Sequence, residues 1–261
     1  MKRTQSIIGA ISAALLVMLT GCGSDSATTS SSTSTPAGGT LTVYAAASLK
    51  QTFTDVGEQF KTDNPGWKVD FTFAGSSDLV TQLTQGAKGD VFASADTKNM
   101  EKAATAGLLA GDPVNFASNT LAIVVAPGNP KQVTSFADLN KPGLTVVVCA
   151  PQVPCGSATE KVEQSTKVTL NPVSEESSVT DVLNKVTTGQ ADAGLVYVTD
   201  ALGAGDKVAK VDFPEAAAAV NTYPIGVLKT AADAAAAHKF VDLVTGEAGQ
   251  KILSQAGFAK P

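Results

Sequence analysis

Apolar segments rich in Val and Ile alternate with segments of helical periodicity along most of this 261-residue chain. In the first pair, the apolar run 41–47 is followed by Leu49, Phe53, Val56 and Phe60, which recur every three or four residues. The run is typical of a buried strand, and the recurrence is typical of a helix with one apolar face. Because this alternation continues to the C-terminus, the sequence predicts an α/β protein with mostly parallel sheets.

The same two patterns locate the other predicted elements. Further strands are predicted at residues 67–74, 90–95, 121–127, 144–150, 193–198, 207–213 and 223–228. Further helices are predicted at residues 76–86, 99–109, from about 157, 179–186, 231–244 and about 247–255. Phe53, Phe60 and Trp67 are assigned to the core, and residues 89–96 (GDVFASAD) to a buried strand that ends in a turn.

Four of the strand-to-helix junctions are built from serine and other small residues. They lie at residues 45–49, 73–78, 154–157 and 176–179. Ser48, Ser157 and Ser178 each precede a Gln, Glu or Asp by three residues, which is the spacing of a helix cap. Helix N-termini also offer unpaired N–H groups that bind an anion without a basic side chain. Because open α/β sheets bind ligands at the carboxyl ends of their strands, the four junctions together indicate an anion site.

The charge of the chain excludes several classes of function. Apart from Lys2 and Arg3, 17 basic residues stand against 24 acidic ones, a net charge of −7 without basic runs, so a nucleic-acid partner is not expected. No arginine follows Arg3, which removes the bidentate clamp that an organic carboxylate requires. His238 is the single histidine, so the chain has no histidine-rich metal site.

The N-terminus has the features of an export signal. Lys2 and Arg3 precede an apolar run that is shorter than the ~20 residues of a membrane span and ends before Cys22. The segment resembles the lipobox of bacterial lipoproteins, in which the cysteine carries the lipid; an ordinary signal peptide with a chance cysteine is the alternative. Residues 1–21 are therefore predicted to be a lipoprotein signal peptide, and residues 22–39, rich in Ser and Thr, a flexible tether. We expect the folded part outside the cytoplasm, attached to the cell membrane by the lipid.

Two further cysteines, Cys149 and Cys155, lie close together in the chain. Outside the cytoplasm such thiols usually pair, so a disulfide is expected, with free thiols as the alternative. The spacing does not fit a CxxC redox or zinc motif. In the chain-entropy model, closing so short a loop stabilises the fold by roughly 2–2.5 kcal/mol.

Six motifs follow one another over residues 40–260: VYAAASL, FTFAGSSDL, GDVFASAD, PCGSATE, ADAGLVYVTDA and YPIGVL. Together they resemble the extracytoplasmic molybdate-binding proteins of ABC importers. The resemblance implies a type II periplasmic-binding-protein fold, in which two α/β lobes joined by a hinge enclose a ligand cleft. It places residues 40–119 and 222–261 in lobe I and residues 120–221 in lobe II. It also implies a protein, expected to be monomeric, that passes molybdate and tungstate to an ABC-type membrane permease, with no cofactor and molybdenum present only as the bound oxyanion.

Carried over by position, the resemblance assigns the oxyanion to Ser48, Ser76, Cys155, Val179 and Tyr197. The two serines would donate through their hydroxyl and backbone N–H groups. Cys155 and Val179 would donate through the backbone N–H alone, and Tyr197 through its phenolic O–H. Such a set of donors, without a carboxylate, suits a fully deprotonated dianion.

Two other functions remain open. Sulfate is also a proton-free tetrahedral dianion, so a sulfate-binding protein is the near alternative. A secreted hydrolase with Ser48 or Ser76 as nucleophile is more remote, because the chain lacks a GxSxG elbow and His238 is distant in sequence. Within the second junction, Ser77 is the alternative ligand to Ser76. We therefore expect a binding protein and not an enzyme.

Overall fold

A computed structural model describes residues 38–261, which contain ten strands and eight α-helices. The strands are β1 (Thr40–Ala46), β2 (Lys68–Ala74), β3 (Val91–Ala93), β4 (Val114–Asn119), β5 (Leu121–Val125), β6 (Val146–Cys149), β7 (Ser174–Glu176), β8 (Ala193–Tyr197), β9 (Ala209–Val211) and β10 (Asn221–Val227). The helices are α1 (Lys50–Asp63), α2 (Ser76–Thr84), α3 (Thr97–Thr105), α4 (Pro154–Thr166), α5 (Val179–Thr187), α6 (Val198–Ala204), α7 (Ala234–Thr245) and α8 (Glu247–Gln255). None of the helices in this range is long and apolar enough to span a bilayer. The predicted signal peptide, Cys22 and nearly all of the predicted tether lie outside the described residues, so they stay predictions.

The ten strands form two five-stranded sheets. Sheet 1 has the order β2-β1-β3-β10-β4, and sheet 2 has the order β7-β6-β8-β5-β9. β1 and β6 are parallel to both of their neighbours, whereas β10 and β5 are antiparallel to both of theirs. The predicted α/β class is confirmed, but the sheets are mixed rather than mostly parallel. β5 and β10 are the strands at which the chain passes from one sheet to the other, and neither is paired with the strand that precedes it in the chain.

The four junctions of serine and small residues each join the carboxyl end of a strand to a helix. β1 leads into a turn of 3-10 helix (Ala47–Leu49) and then into α1, and β2 leads through Gly75 into α2. In sheet 2, β6 leads into α4 and β7 leads through residues 177–178 into α5. The fold therefore gathers helix N-termini at the sheet edges where α/β proteins bind ligands.

An aromatic cluster fills the core beside sheet 1. The ring of Phe53 lies 5.8 Å from that of Phe116 and 5.9 Å from that of Phe240, and Phe60 lies 5.6 Å from Phe240. Phe53 and Phe60 are buried, and each contributes about 1.5–3 kcal/mol of transfer free energy. Trp67 is only partly buried but packs edge-on against Phe60 at 6.4 Å. The assignment to the core is confirmed for Phe53 and Phe60, whereas Trp67 lies at the edge of the core.

Several predicted elements need correction. β9 is shorter than the strand predicted at residues 207–213, and α4 begins at Pro154 rather than near residue 157. Proline suits the first turn of a helix, because the N–H that it lacks has no partner there. The sequence patterns miss β4, β7 and α6, whose segments are short or carry Asn, Ser and Glu instead of an apolar run.

Candidate functional site

One small pocket contains all five residues that the motifs assign to an oxyanion. Its lining consists of Ser48, Ser76, Cys155, Val179 and Tyr197, together with Ala95 and five further small or apolar residues. Its volume of about 10 Å³ is close to the least that holds one water molecule, so its walls lie close together. No carboxylate, lysine or histidine is among the lining residues.

Three helices begin at this pocket. Ser76 is the first residue of α2, Val179 is the first residue of α5, and Cys155 is the second residue of α4. The first turn of a helix has no internal acceptor for its N–H groups. Within residues 38–261, none of the backbone N–H groups of these three residues has another backbone acceptor. The free donors and the positive ends of three helix dipoles make the pocket suitable for an anion.

The serines that the cap spacing indicates have different roles. Ser178 is the N-cap of α5, where its Oγ accepts from the N–H of Asp181 at 3.3 Å, so this cap is confirmed. Ser48 lies inside the 3-10 turn before α1, and Ser157 lies inside α4. The prediction of caps at these two positions is wrong, because a 3-10 turn and Pro154 shift the helix starts away from them. The Ser48 hydroxyl is thus not committed to a helix end.

At the second junction, Ser76 lines the pocket and Ser77 does not. The Oγ of Ser76 accepts from the N–H of Ala95 at 3.0 Å, which leaves its proton for another acceptor. Ser77 is also buried, and its Oγ has no partner among the described residues. Ala95 belongs to residues 89–96, which form the predicted buried strand and turn but also supply one wall of the pocket.

Two residues of β10, Asn221 and Tyr223, contact the remaining hydroxyl groups of the pocket. Nδ2 of Asn221 donates to the phenolic oxygen of Tyr197 at 2.8 Å, and the phenolic oxygen of Tyr223 lies 3.0 Å from the Oγ of Ser48. Asn221 and Tyr223 are 3% and 0% exposed. Sequence reasoning did not assign them to the site, because the second contact joins residues 175 positions apart and leaves no local signal.

Burial keeps both tyrosines in the protonated form that donates hydrogen bonds. It raises the pKa of Tyr197 well above its usual value of about 10, and it raises that of Tyr223 as well. Burial also raises the pKa of Asp200, to about 7, although the backbone N–H that Tyr197 donates to this carboxylate at 3.1 Å acts in the opposite direction. The carboxyl group beside the pocket therefore carries a reduced negative charge near neutral pH.

A disulfide joins Cys149 and Cys155, whose Cα atoms are 5.6 Å apart. It connects the last residue of β6 to the first turn of α4. The loop between them is tightly packed, since a Cβ at Gly156 would lie 2.0 Å from the carbonyl oxygen of Ala150. The cross-link and the packing both restrict the segment that carries the Cys155 N–H.

Other regions fit an anion or a catalytic centre less well. A groove of about 570 Å³ borders the pocket at Ala47 and Ser48, but two lysines and two aspartates line it, so it has no preference for anions.

His238 lies exposed on α7 and does not line the pocket. In the described part of the chain, no group of three or more His, Cys, Asp or Glu residues could hold a metal ion.

Comparison with known proteins places the chain in a family. Residues 41–259 match the family model of bacterial extracellular solute-binding proteins. The chain is 61% identical over 253 residues, 97% of each chain, to the molybdate-binding protein ModA of Mycobacterium tuberculosis.

Solved structures show the same fold at lower sequence identity. The periplasmic molybdate-binding protein of Azotobacter vinelandii superposes with a TM-score of 0.72 at 24% identity, over 85% of this chain and 99% of that one. The sulfate-binding protein SubI of M. tuberculosis superposes with a TM-score of 0.75 at 20% identity, over 85% and 86%. The expected two-lobe periplasmic-binding-protein fold is confirmed. The chain belongs to the family of bacterial extracellular solute-binding proteins, among the relatives of ModA.

Proposed function

We propose that this protein binds molybdate, and tungstate as well, outside the cytoplasm and delivers it to an ABC-type membrane permease. The observation that carries the proposal is the convergence of Ser48, Ser76, Cys155, Val179 and Tyr197 on one pocket without a carboxylate. These are the residues that the motifs shared with molybdate-binding proteins single out. The high identity to a protein named for molybdate binding supports the same ligand.

The chemistry of the pocket suits a tetrahedral dianion. The hydroxyl and N–H groups of Ser48 and Ser76, the N–H groups of Cys155 and Val179, and the phenolic O–H of Tyr197 are all donors. Each hydrogen bond to a charged oxygen is worth about 1.5–3 kcal/mol, so several of them offset the cost of closing the site. Neutral donors also favour release, since no fixed positive charge holds the dianion when the permease opens the pocket.

The donors belong to both proposed lobes. Ser48 and Ser76 lie in lobe I, which we propose to comprise residues 40–119 and 222–261, and the other three lie in lobe II, residues 120–221. The two sheets support this division, because sheet 1 contains β1 to β4 and β10, and sheet 2 contains β5 to β9. β10 begins one residue before the proposed boundary. We infer that the ligand is enclosed when the lobes close on it.

We further propose that the mature protein is a monomer attached to the cell membrane through a lipid on Cys22. It acts as a carrier, with no cofactor and no catalytic step. Labelling with a fatty-acid analogue, compared between the full chain and Cys22→Ala, tests the anchor. Loss of the label in the variant supports it, and retention contradicts it.

The near alternative is a sulfate-binding protein, since sulfate presents the same charge and geometry and the SubI fold is similar. Isothermal titration of the folded part with molybdate, tungstate, sulfate and phosphate decides between them. We expect molybdate and tungstate to bind far more tightly than sulfate, and phosphate not to bind. Tighter binding of sulfate would overturn the proposal.

A further inference from the structure

The proton of the Tyr197 hydroxyl is left free by the arrangement of Asn221. Nδ2 of Asn221 lies 2.8 Å from the carbonyl oxygen of Ala95 and 3.3 Å from that of Pro154. Carbonyl oxygens only accept, so this end of the amide is its donating nitrogen. The third contact of the same nitrogen, at 2.8 Å, is the phenolic oxygen of Tyr197, which therefore accepts. Among the described residues the phenolic oxygen of Tyr197 accepts this one hydrogen bond and has a weaker contact with the hydroxyl of Tyr223, so its proton is available to a ligand in the pocket that Tyr197 lines.

The Ser48 hydroxyl is also in hydrogen-bond contact with a buried side chain, that of Tyr223. The two oxygens are 3.0 Å apart, and Tyr223 is fully buried, where its hydroxyl also lies near the side chains of Asn119 and Tyr197. A phenol is a stronger acid than an aliphatic alcohol, so the phenolic proton is the one shared between them. Ser48 then accepts from Tyr223, and its own proton is free to point into the pocket.

The third hydroxyl, that of Ser76, accepts from the backbone N–H of Ala95. Each hydroxyl group of the pocket thus accepts one hydrogen bond from the protein, and its own proton remains available for a ligand. A pocket in which every hydroxyl is turned in this way presents protons only, and an oxyanion that carries a proton of its own finds no acceptor there.

We propose that Asn221 and Tyr223 are positioning residues, which turn the hydroxyl protons of Tyr197 and Ser48 toward the ligand and so exclude protonated oxyanions such as hydrogen phosphate. This proposal rests on the proposed function, because it needs an oxyanion in the pocket. Neither residue lines the pocket itself. Their effect on binding is therefore transmitted through the hydroxyl groups that they contact.

Double-mutant cycles measured by titration with molybdate test the positioning role. We expect Tyr223→Phe to weaken binding about tenfold in the wild-type background and less than about twofold in Ser48→Ala, where the serine hydroxyl that Tyr223 positions is absent. Asn221→Leu should behave in the same way with Tyr197→Phe. A purely structural role would produce the same loss in both backgrounds, and that result would overturn the proposal.

Selectivity provides the second measurement. When Ser48 is no longer held by Tyr223, its hydroxyl can rotate and accept, so the ratio of molybdate to phosphate affinity at pH 7 should fall at least fivefold in Tyr223→Phe. An unchanged ratio would overturn the exclusion of protonated oxyanions. Tyr44→Phe is the matched control, because it removes a buried phenol outside the pocket and should leave both affinities as in the wild type.

Failure of this inference is distinguishable from failure of the proposed function. If the wild-type protein does not bind molybdate, the proposed function is wrong, and the positioning role that rests on it is wrong as well. If the wild type binds molybdate but the paired variants lose affinity independently of each other, only the positioning role is wrong. Thermal unfolding of each variant shows that it is folded at the temperature of the titration.

Discussion

Replacing Gly75 with alanine tests whether the pocket must close around its ligand. Gly75 lies between β2 and α2, and Ser177 precedes α5, so they belong to different proposed lobes. A Cβ at position 75 would lie 2.2 Å from the carbonyl oxygen of Ser177 and 3.5 Å from Cγ1 of Val153. Gly75 has φ −58° and ψ 140°, which alanine adopts freely, so the methyl group strains only the contact between the lobes.

The expected loss of affinity follows from this contact. A carbon and a carbonyl oxygen in contact are about 3.3 Å or more apart, so the two segments must separate by about 1 Å. Overpacking of this kind costs about 1–3 kcal/mol, and 1.4 kcal/mol is a factor of ten in a binding constant. We therefore expect Gly75→Ala to weaken molybdate binding about 10- to 100-fold. The free energy of unfolding without ligand should change by no more than about 0.5 kcal/mol, because the strain disappears when the lobes part.

Titration calorimetry gives the affinity, and small-angle X-ray scattering with and without molybdate gives the compaction on binding. The wild type should become more compact at saturation, and Gly75→Ala should become less so. Gly111→Ala is the control, since its Cβ would meet nothing within 4 Å and its φ is not positive. If Gly75→Ala binds and compacts like the wild type, the contact with Ser177 does not limit closure and the reasoning is wrong.

Three further predictions concern individual side chains. Tyr197→Phe should weaken molybdate binding by roughly 1.5–3 kcal/mol in calorimetry and leave the melting temperature unchanged, and unchanged affinity would remove Tyr197 from the site. Asp200 is protonated in the folded state but ionised in the unfolded state between about pH 4 and 7, so stability falls as the pH rises through this range. Asp200→Asn should flatten this part of the pH profile of the free energy of unfolding, measured in urea, and raise that free energy at pH 8 by about 1–2 kcal/mol. The expected gain is smaller than the full 1.36 kcal/mol per unit of pKa shift, because the Asp200 side chain is partly exposed. An unchanged slope would contradict the raised pKa. Replacing Cys149 and Cys155 together with serine should lower the free energy of unfolding by about 2–2.5 kcal/mol and weaken molybdate binding, and equal stability would show that the cross-link contributes nothing.

The sequence predicts the pocket better than it predicts the residues behind it. The small-residue junctions indicate the segments that contain Ser48 and Ser76, because a strand that leads into a helix N-terminus is a local pattern, and the resemblance to molybdate-binding proteins selects these two residues within the segments. Asn221 reaches Ala95, Pro154 and Tyr197 only after β10 has joined sheet 1, and no local pattern records that contact. The same limit explains the wrong caps, since the spacing of Ser and Gln does not reveal a 3-10 turn inserted before α1.

The neutral donors explain how an acidic protein can hold a dianion. Beyond Lys2 and Arg3 the chain has a net charge of −7, but the repulsion from exposed charges is screened over about 8 Å at physiological ionic strength. Inside the pocket the proposed ligand would meet the dipoles of neutral donors instead, and these interactions act only over short distances. Because Ser48 and Ser76 come from one proposed lobe and Cys155, Val179 and Tyr197 from the other, either lobe alone would leave the dianion half solvated. If the proposed function is right, we therefore expect binding and closure to be one event, because a dianion that loses the donors of either proposed lobe returns to water.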